Sequence, residues 1–226
     1  MKTDIYLEKL YANRFNYKER HAKLQLWKIL IKDFLQPHIG NDSIVLDIGG
    51  GYCEFINQIR AREKYLVDLN PDSQNFADPD VNVLNVNVLN EDVGDSLPHN
   101  YFDRIFISNF FEHLSSKEEL IQILSFCFER LRPGGSLIVI QPNFKYSFRE
   151  YYDFIDHTLP ITHVSLEEAL RTIGFSIEVM IPRFLPFSTK NRPTAPVLLE
   201  IYLKLPILWK FLGGQMFVKA TKRGIG

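Results

Sequence analysis

The sequence predicts an α/β fold: three layers, α/β/α, around a doubly wound, mostly parallel seven-stranded sheet. Three observations lead there. Seven short apolar runs alternate with helical patterns along most of the 226 residues. The first run, SIVLDI, ends at Asp47 and Ile48 and passes through three glycines into a helical segment, the form of a strand, a tight turn and a helix start. A second apolar run ends at Asp68, roughly 20 residues on, where such a sheet places a ribose-binding carboxylate.

The elements follow in order. Residues up to about 39 read as N-terminal helices, with Leu24, Trp27, Ile31 and Phe34 spaced for one face and Pro37 as the stop. Strands are expected at 43–48, 64–68, 81–86, 104–108, 136–141, 175–182 and 215–220. Residues 81–89 alternate Val or Leu with Asn, so that strand rests on the period of two. Helices are expected at 53–62, 117–131 and 166–172. The second opens at Ser115 or Ser116 with Glu118 and Glu119 in its first turn and stops before Pro133-Gly134-Gly135. The third has Ser165 as its cap.

Between strands six and seven lies an insertion far longer than a usual connection. Pro186, Pro193 and Pro196 give it an extended entry; 197–212 is helical, with Pro206 kinking or splitting the helix. The chain thus divides into an N-terminal helical cap (1–40), a core (41–182 with 214–222) and a basic hydrophobic insertion (183–213).

Composition suits one well-cored domain with additions: 46% hydrophobic, 13% aromatic, net charge −1. The two cysteines, Cys53 and Cys127, fall in expected core helices, as buried free thiols do in a reducing, cytoplasmic compartment. The opening MKTDIYLEKLY is acidic without an apolar stretch, unlike a signal peptide, and no run is long enough to span a membrane. From residue 183 on, eight Lys and Arg face the single Glu200, a net of +7, which leaves −8 on the rest. Leu198, Ile201, Leu205, Leu208 and Phe211 approximate one helical face, with Lys204 and Lys210 beside it; such a face either covers the sheet edge as a lid or meets an anionic membrane surface. The acidic core offers no broad basic stripe, so no nucleic-acid partner is expected.

The glycine turn discriminates between cofactors. A dinucleotide fingerprint needs a small last residue for close packing, and that position is Glu54, which would also repel a pyrophosphate. No Tyr-x-x-x-Lys pair supports a nicotinamide-dependent oxidoreductase, the first alternative; a non-catalytic scaffold with a membrane-associating tail is the second. S-adenosylmethionine (SAM) carries no phosphate and offers a ribose diol, an ammonium and a sulfonium to nearby carboxylates. The turn resembles motif I of class I SAM-dependent methyltransferases, Asp/Glu-x-Gly-x-Gly-x-Gly: Asp47, Gly49 and Gly51 match, and Cys53 stands at the third glycine. YFDRIFISNFFEHL (101–114) and LRPGGSLIVIQPN (131–143) resemble the family's fourth- and fifth-strand motifs, so the likeness runs from 43 to 181. It implies an antiparallel last strand, SAM as cofactor and methyl transfer as the activity.

The cofactor set begins with Gly49 and Gly51 through their backbone, Asp68 on the ribose hydroxyls with Leu69 beside it, and Asp47 orienting the turn and reaching the ammonium. Glu54 is the next candidate, although a first-turn acid also suits a helix macrodipole alone. Where the family meets the adenine amine with an acid, this chain offers Asn87, Asn90, Glu91 and Asp92, of which Asn87 is chosen. By resemblance Asn109 lies near the methionine part, and Tyr11 and Arg14, with Phe15, match an aromatic and basic helix over the cofactor; ordinary surface-helix residues would read the same way.

Candidate catalytic residues are His113, histidine being the side-chain type most used as a general base, and the pair Asp156-His157 in the aromatic segment 141–170. Structural readings of each compete: a His at a helix entry often caps or packs. No metal is expected, since only Asp153 and Asp156 offer hard oxygens in that segment. The expected acceptor is a small molecule, a sugar or a lipid-linked glycan methylated at oxygen, because FLPFSTK and YLKLPILWKFLGGQMF resemble a bacterial branch linked to glycan and cell-envelope pathways.

Overall fold

The structure, a computed structural model, describes residues 17–90, 96–188 and 195–224. All seven expected strands are present: β1 (Ile44–Ile48), β2 (Glu63–Val67), β3 (Val81–Leu84), β4 (Phe102–Ser108), β5 (Leu131–Pro142), β6 (Phe175–Ile181) and β7 (Gln215–Lys222). Their order is β3-β2-β1-β4-β5-β7-β6. The first five pair in parallel, and β7 runs antiparallel to both β5 and β6. Strand β1 is buried along its whole length, as a parallel strand covered on both faces requires.

Strand alternation divides the core in two. Ile44, Leu46 and Ile48 point to one face and pack with α2 (Lys117–Arg130) and α3 (His163–Ile173) through Ile123, Leu124, Cys127, Leu166 and Leu170. Val45 points to the other face, where α1 (Tyr17–Leu30) and the helices of the insertion contribute Ile29, Leu30, Tyr202 and Leu203. Cys53 and Cys127 are buried free thiols on opposite sides of the sheet.

Several boundaries differ from expectation for local reasons. Helix α1 does not stop at Pro37. It widens into a π-helical turn (Ile31–Leu35), continues through Gln36–Ile39 with the proline in its first turn, and ends at Gly40 with φ +85°. Ser116 caps α2, accepting the Glu119 N–H at 3.2 Å. Helix α3 starts three residues before the expected 166, because Thr162 rather than Ser165 is the cap and Ser165 closes a reciprocal capping box. Strand β3 stops at Leu84, two residues short of the expected end.

The largest departure is the expected helix at 53–62. Residues 51–58 form consecutive turns, held by Asn57 N–H to Cys53 O and Ile59 N–H to Phe55 O. Cys53 cannot begin a regular helix. At the third glycine position it takes φ +63°, a left-handed conformation that no L-residue propagates into a helix.

In the insertion Pro206 splits the helix into α4 (Pro196–Lys204) and α5 (Pro206–Leu212). Tyr202 and Leu203 face inward, and the Trp209 ring meets Phe34 and Phe184 edge-on at 6.0 and 5.1 Å. Leu208 joins them, whereas Leu198, Ile201, Leu205 and Phe211 remain exposed. The insertion is therefore anchored by the opposite side of α4 from the face the heptad-like spacing picks out. Among the described residues, no helix is long and apolar enough to cross a membrane.

Candidate functional site

The carboxyl ends of β1, β2 and β4 meet around the glycine turn, where an open α/β sheet leaves its crevice. Gly49 takes φ +72° and its N–H donates to Val67 O at 2.8 Å, which ties the turn to β2. A Cβ on it would lie 2.5 Å from the Phe110 ring, so only glycine lets that ring close over the turn. Gly51 also has positive φ, +55°, and its Cβ position faces open space. The middle glycine, Gly50, is required for a different reason: a Cβ there would sit 2.5 Å from Asp47 Oδ2 and 2.6 Å from Leu66.

Two carboxylates hold this turn. Asp68 accepts the Gly51 N–H on Oδ2 (2.7 Å) and the Asn70 N–H on Oδ1 (2.8 Å). Burial pushes its pKa up against those two bonds. Asp47 is buried at the end of β1, and its Oδ2 has no hydrogen-bond partner among the described residues. Burial raises its pKa well above the usual carboxylate range, and the charges of Asp68 and Glu54 add to the effect. The same field reaches Cys53, whose thiol is pushed up to about 12 by burial first and then by Asp47, Asp68 and Glu54. The pocket is thus electronegative, with a buried acceptor awaiting a donor; an ammonium or ribose suits it and a pyrophosphate does not. These residues fit SAM.

The remaining cofactor candidates divide. Leu69, 55% exposed, presents an apolar face next to Asp68. Asn109 leaves β4 at φ +48°, its N–H bonded to Ile140 O at 2.9 Å, which aims its exposed side chain outward from the sheet edge. Asn87 uses its side-chain oxygen locally, on the Leu89 N–H at 3.0 Å. Glu54 is not in the crevice as a free acid: its buried carboxylate pairs with Lys23 of α1 at 3.0 Å, which clamps the N-terminal helix to the turn. Tyr11, Arg14, Phe15, Glu91 and Asp92 lie outside the described residues.

Beyond β4 the chain makes a 3-10 turn, Phe111–His113, that brings the catalytic candidates together. His113 Nδ1 faces Asp156 through both its carboxylate (3.3 Å) and its backbone carbonyl (3.1 Å). Asp156, expected to pair with His157, is met by His113 at its carboxylate, and the His157 ring stands edge-on to His113 at 5.4 Å, stacked on Phe154 at 4.9 Å.

Two residues not singled out in the sequence complete this end. Gln141, at the end of β5, accepts the Phe111 N–H at 3.2 Å and donates to Glu112 at 2.5 Å. Glu112 is buried, which raises its pKa, with His113 and the Gln141 bond opposing. Its backbone carbonyl accepts the Thr158 N–H at 2.8 Å, fastening the 3-10 turn to the aromatic segment. The only hint in the sequence was the proximity of Glu112 to His113; the Gln141 contact spans 29 residues. Donor atoms of Glu112, His113 and His157 lie within 4.8 Å of one another, a grouping that the count of hard oxygens in 141–170 did not anticipate.

Comparison with known proteins agrees with the fold. Residues 46–137 match the family model described as a methyltransferase domain. Among solved structures, a SAM-dependent methyltransferase from Archaeoglobus fulgidus superposes with a TM-score of 0.65 at 23% identity, over 88% of this chain and 94% of its own. A Thermotoga maritima SAM-dependent methyltransferase, described as a possible histamine N-methyltransferase, gives 0.65 at 16% identity over 95% and 99%. A candidate methyltransferase of Haloferax volcanii, in complex with the Trm112 methyltransferase activator, gives 0.65 at 12% identity over 92% and 94%. No curated protein matches.

Sheet order and domain match agree on one fold class: a doubly wound α/β sheet of the kind SAM-dependent methyltransferases share. The match over residues 46–137 is to a methyltransferase domain, and the fold is the one these SAM-dependent methyltransferases share, which implies S-adenosylmethionine as the cofactor. The nicotinamide and non-catalytic alternatives are left without support.

Proposed function

We propose that the enzyme methylates an oxygen of a small-molecule, sugar or lipid-linked glycan acceptor, with His113 as the general base and Asp156 as the residue that positions it. The observation that carries this is the contact of His113 Nδ1 with the Asp156 carboxylate at 3.3 Å and its carbonyl at 3.1 Å. Asp156 holds the Nδ1–H tautomer, so the Nε2 lone pair is free to take a hydroxyl proton, and the carboxylate stabilises the imidazolium that results. Glu112, 4.0 Å from Nε2, adds a second acid on the other side of the ring. His157 lines the same space, between Phe154 and His113.

At the cofactor end, Asp68 accepts the ribose hydroxyls on lone pairs not used by the Gly51 and Asn70 N–H groups. Asp47 Oδ2 accepts from the ammonium, and Gly49 and Gly51 allow the backbone to approach. Leu69 packs on the adenine, Asn87 offers its amide N–H groups near it, and Asn109 borders the methionine part. Glu54 acts by pinning α1 through Lys23. When bound, SAM supplies the electrophilic methyl and the leaving group. The chain's own work is to align the acceptor, exclude water and remove one proton.

Buried thiols and the charge distribution support a cytoplasmic enzyme that does not act on nucleic acid. The test measures labelled-methyl transfer to a panel of hydroxylated sugars and glycans. His113→Ala should lower kcat by about 10²–10⁴-fold while SAM affinity by calorimetry stays put, and His113→Gln should not restore it. An unchanged kcat on any accepted substrate sinks the base assignment. Activity that disappears with a chelator and returns with a divalent ion would instead favour metal use of Glu112, His113 and His157.

A further inference from the structure

We propose that the cleft between the segment following β5 and helix α5 binds a phosphoryl group carried on an apolar chain. As a statement about the acceptor this rests on the methyl-transfer reading above; as a binding site it stands apart from it. The cleft has a volume of about 340 Å³, and Lys145, Arg149 and Arg183 line it against a single acid, Glu150. Three cations around one concavity match a phosphate monoester or diester better than any neutral group.

Arg183 is preset for this task. Its Nε donates to Gly213 O at 2.9 Å and its Nη2 to Phe211 O at 2.7 Å, while the guanidinium stacks on the Tyr146 ring at 4.9 Å. The group is therefore ordered before any ligand arrives, which lowers the entropy cost of binding. The cationic field is felt nearby: the pKa of His163, whose ring lies parallel to Tyr146, is lowered by burial and then by Lys145.

The apolar half of the ligand is indicated by the rim. Phe148 is 55% exposed and Phe211 72%, and both line the cleft. Exposed apolar side chains continue from there along α5 and α4 as Ile207, Leu205, Ile201 and Leu198, with Lys204 and Lys210 exposed among them. Apolar surface of this kind next to concentrated positive charge is complementary to an anionic amphiphile. The cleft also communicates with the reaction centre. Phe187 lines it, and the ring of Phe187 lies 5.7 Å from Phe154 and 6.0 Å from His157, which in turn faces His113. Phe187 and, behind it, His157 with Phe154 stand between the phosphoryl site and His113.

The experiment titrates the full-length protein with dodecyl phosphate below its micellar concentration, following binding by calorimetry. Inorganic phosphate and dodecyl maltoside are the comparators, and S-adenosylhomocysteine is titrated into the same preparations. Dodecyl phosphate should bind, and the double variant Lys145→Ala/Arg149→Ala, altered only at exposed positions, should weaken it at least tenfold without moving the unfolding midpoint. Arg183→Lys should weaken it as well, since an ammonium cannot keep the fork of contacts. An unchanged double variant overturns the proposal. So does inorganic phosphate that binds as tightly as dodecyl phosphate, or dodecyl maltoside that does.

Flotation with phosphatidylcholine vesicles, with and without phosphatidylglycerol, separates the sources. Flotation that needs the anionic lipid and is lost in the double variant assigns the phosphoryl group to a membrane headgroup. Dodecyl phosphate binding without flotation assigns it to a phosphorylated acceptor taken from solution. Both support the cleft. Failure of S-adenosylhomocysteine to bind would sink the methyl-transfer reading and leave the cleft standing.

Discussion

The two ends of the crevice are built by different means. At the cofactor end, backbone does most of the work: Gly49 and Gly51 at positive φ, Gly50 under a buried carboxylate, and Asp68 gripping two N–H groups. Its parts are separated by a single strand–turn–strand unit. At the end where we propose the acceptor binds, side chains make the contacts, and they come from three distant segments: His113 after β4, Gln141 at the end of β5, and Asp156 in the aromatic loop. The first end is prescribed by local conformational needs, the second by tertiary packing. A backbone-built site tolerates few residue types but any surroundings, whereas a side-chain-built site can be retuned one contact at a time.

The comparison can be broken at three points. The largest effect belongs to Asp68→Ala, which removes the proposed ribose acceptor together with two bonds to backbone N–H groups. Each bond to a charged group is worth about 1.5–3 kcal/mol, so affinity for SAM in calorimetry should fall by roughly 100-fold. Retained affinity would show that the cofactor end does not depend on that carboxylate.

A smaller effect, of opposite sign for stability, is expected at Asp47. Its folded-state pKa is raised by burial and by Asp68 and Glu54, above the value in the unfolded chain. Between those two values the unfolded chain has lost its proton while the folded one keeps it, so this group's contribution to stability falls as pH rises through that window. Asp47→Asn should therefore raise Tm at neutral pH, by a few degrees for about 1 kcal/mol, and weaken cofactor binding. A flat difference between wild type and variant from acid to neutral pH would contradict the burial argument.

The smallest effect is expected at Cys53. Replacement by glycine relieves a left-handed residue, worth about 1 kcal/mol, but removes a fully buried side chain. Net stability in a denaturant titration should move by less than about 1 kcal/mol. A much larger loss would mean that the Cys53 side chain, not the turn, holds the segment.

Legibility in the sequence follows the same division. Seven strands were readable because alternating and continuous apolar runs, punctuated by Gly, Pro and Asn, are local signals. The glycine turn was readable for the same reason, and so was the split at Pro206. The helix expected at 53–62 is a run of turns over its first six residues instead: its apolar spacing suits a helix, and the left-handed φ of its first residue, Cys53, is not written in that spacing. At the acceptor end the residue types were visible, but the partnership of His113 with Asp156 spans 43 residues and no periodicity encodes it. Gln141 stood in a strand motif with nothing to mark its side chain as the one that bonds Glu112. The role of Glu54 was hidden likewise, since Lys23 reaches it from another element.

Strand β7 lies between β5 and β6 although it follows both in sequence. Until it arrives, β6 has no partner among the described strands, and Phe184 of the insertion lacks the Phe217 ring on one side, keeping only Phe34 and Trp209. During synthesis the first five strands can zip together as they emerge, whereas the far edge must wait, unpaired, for a single late ribbon to be threaded into the gap. The cofactor crevice, built on β1, β2 and β4, thus has all its strands in hand before the sheet edge beneath the insertion is closed by β7.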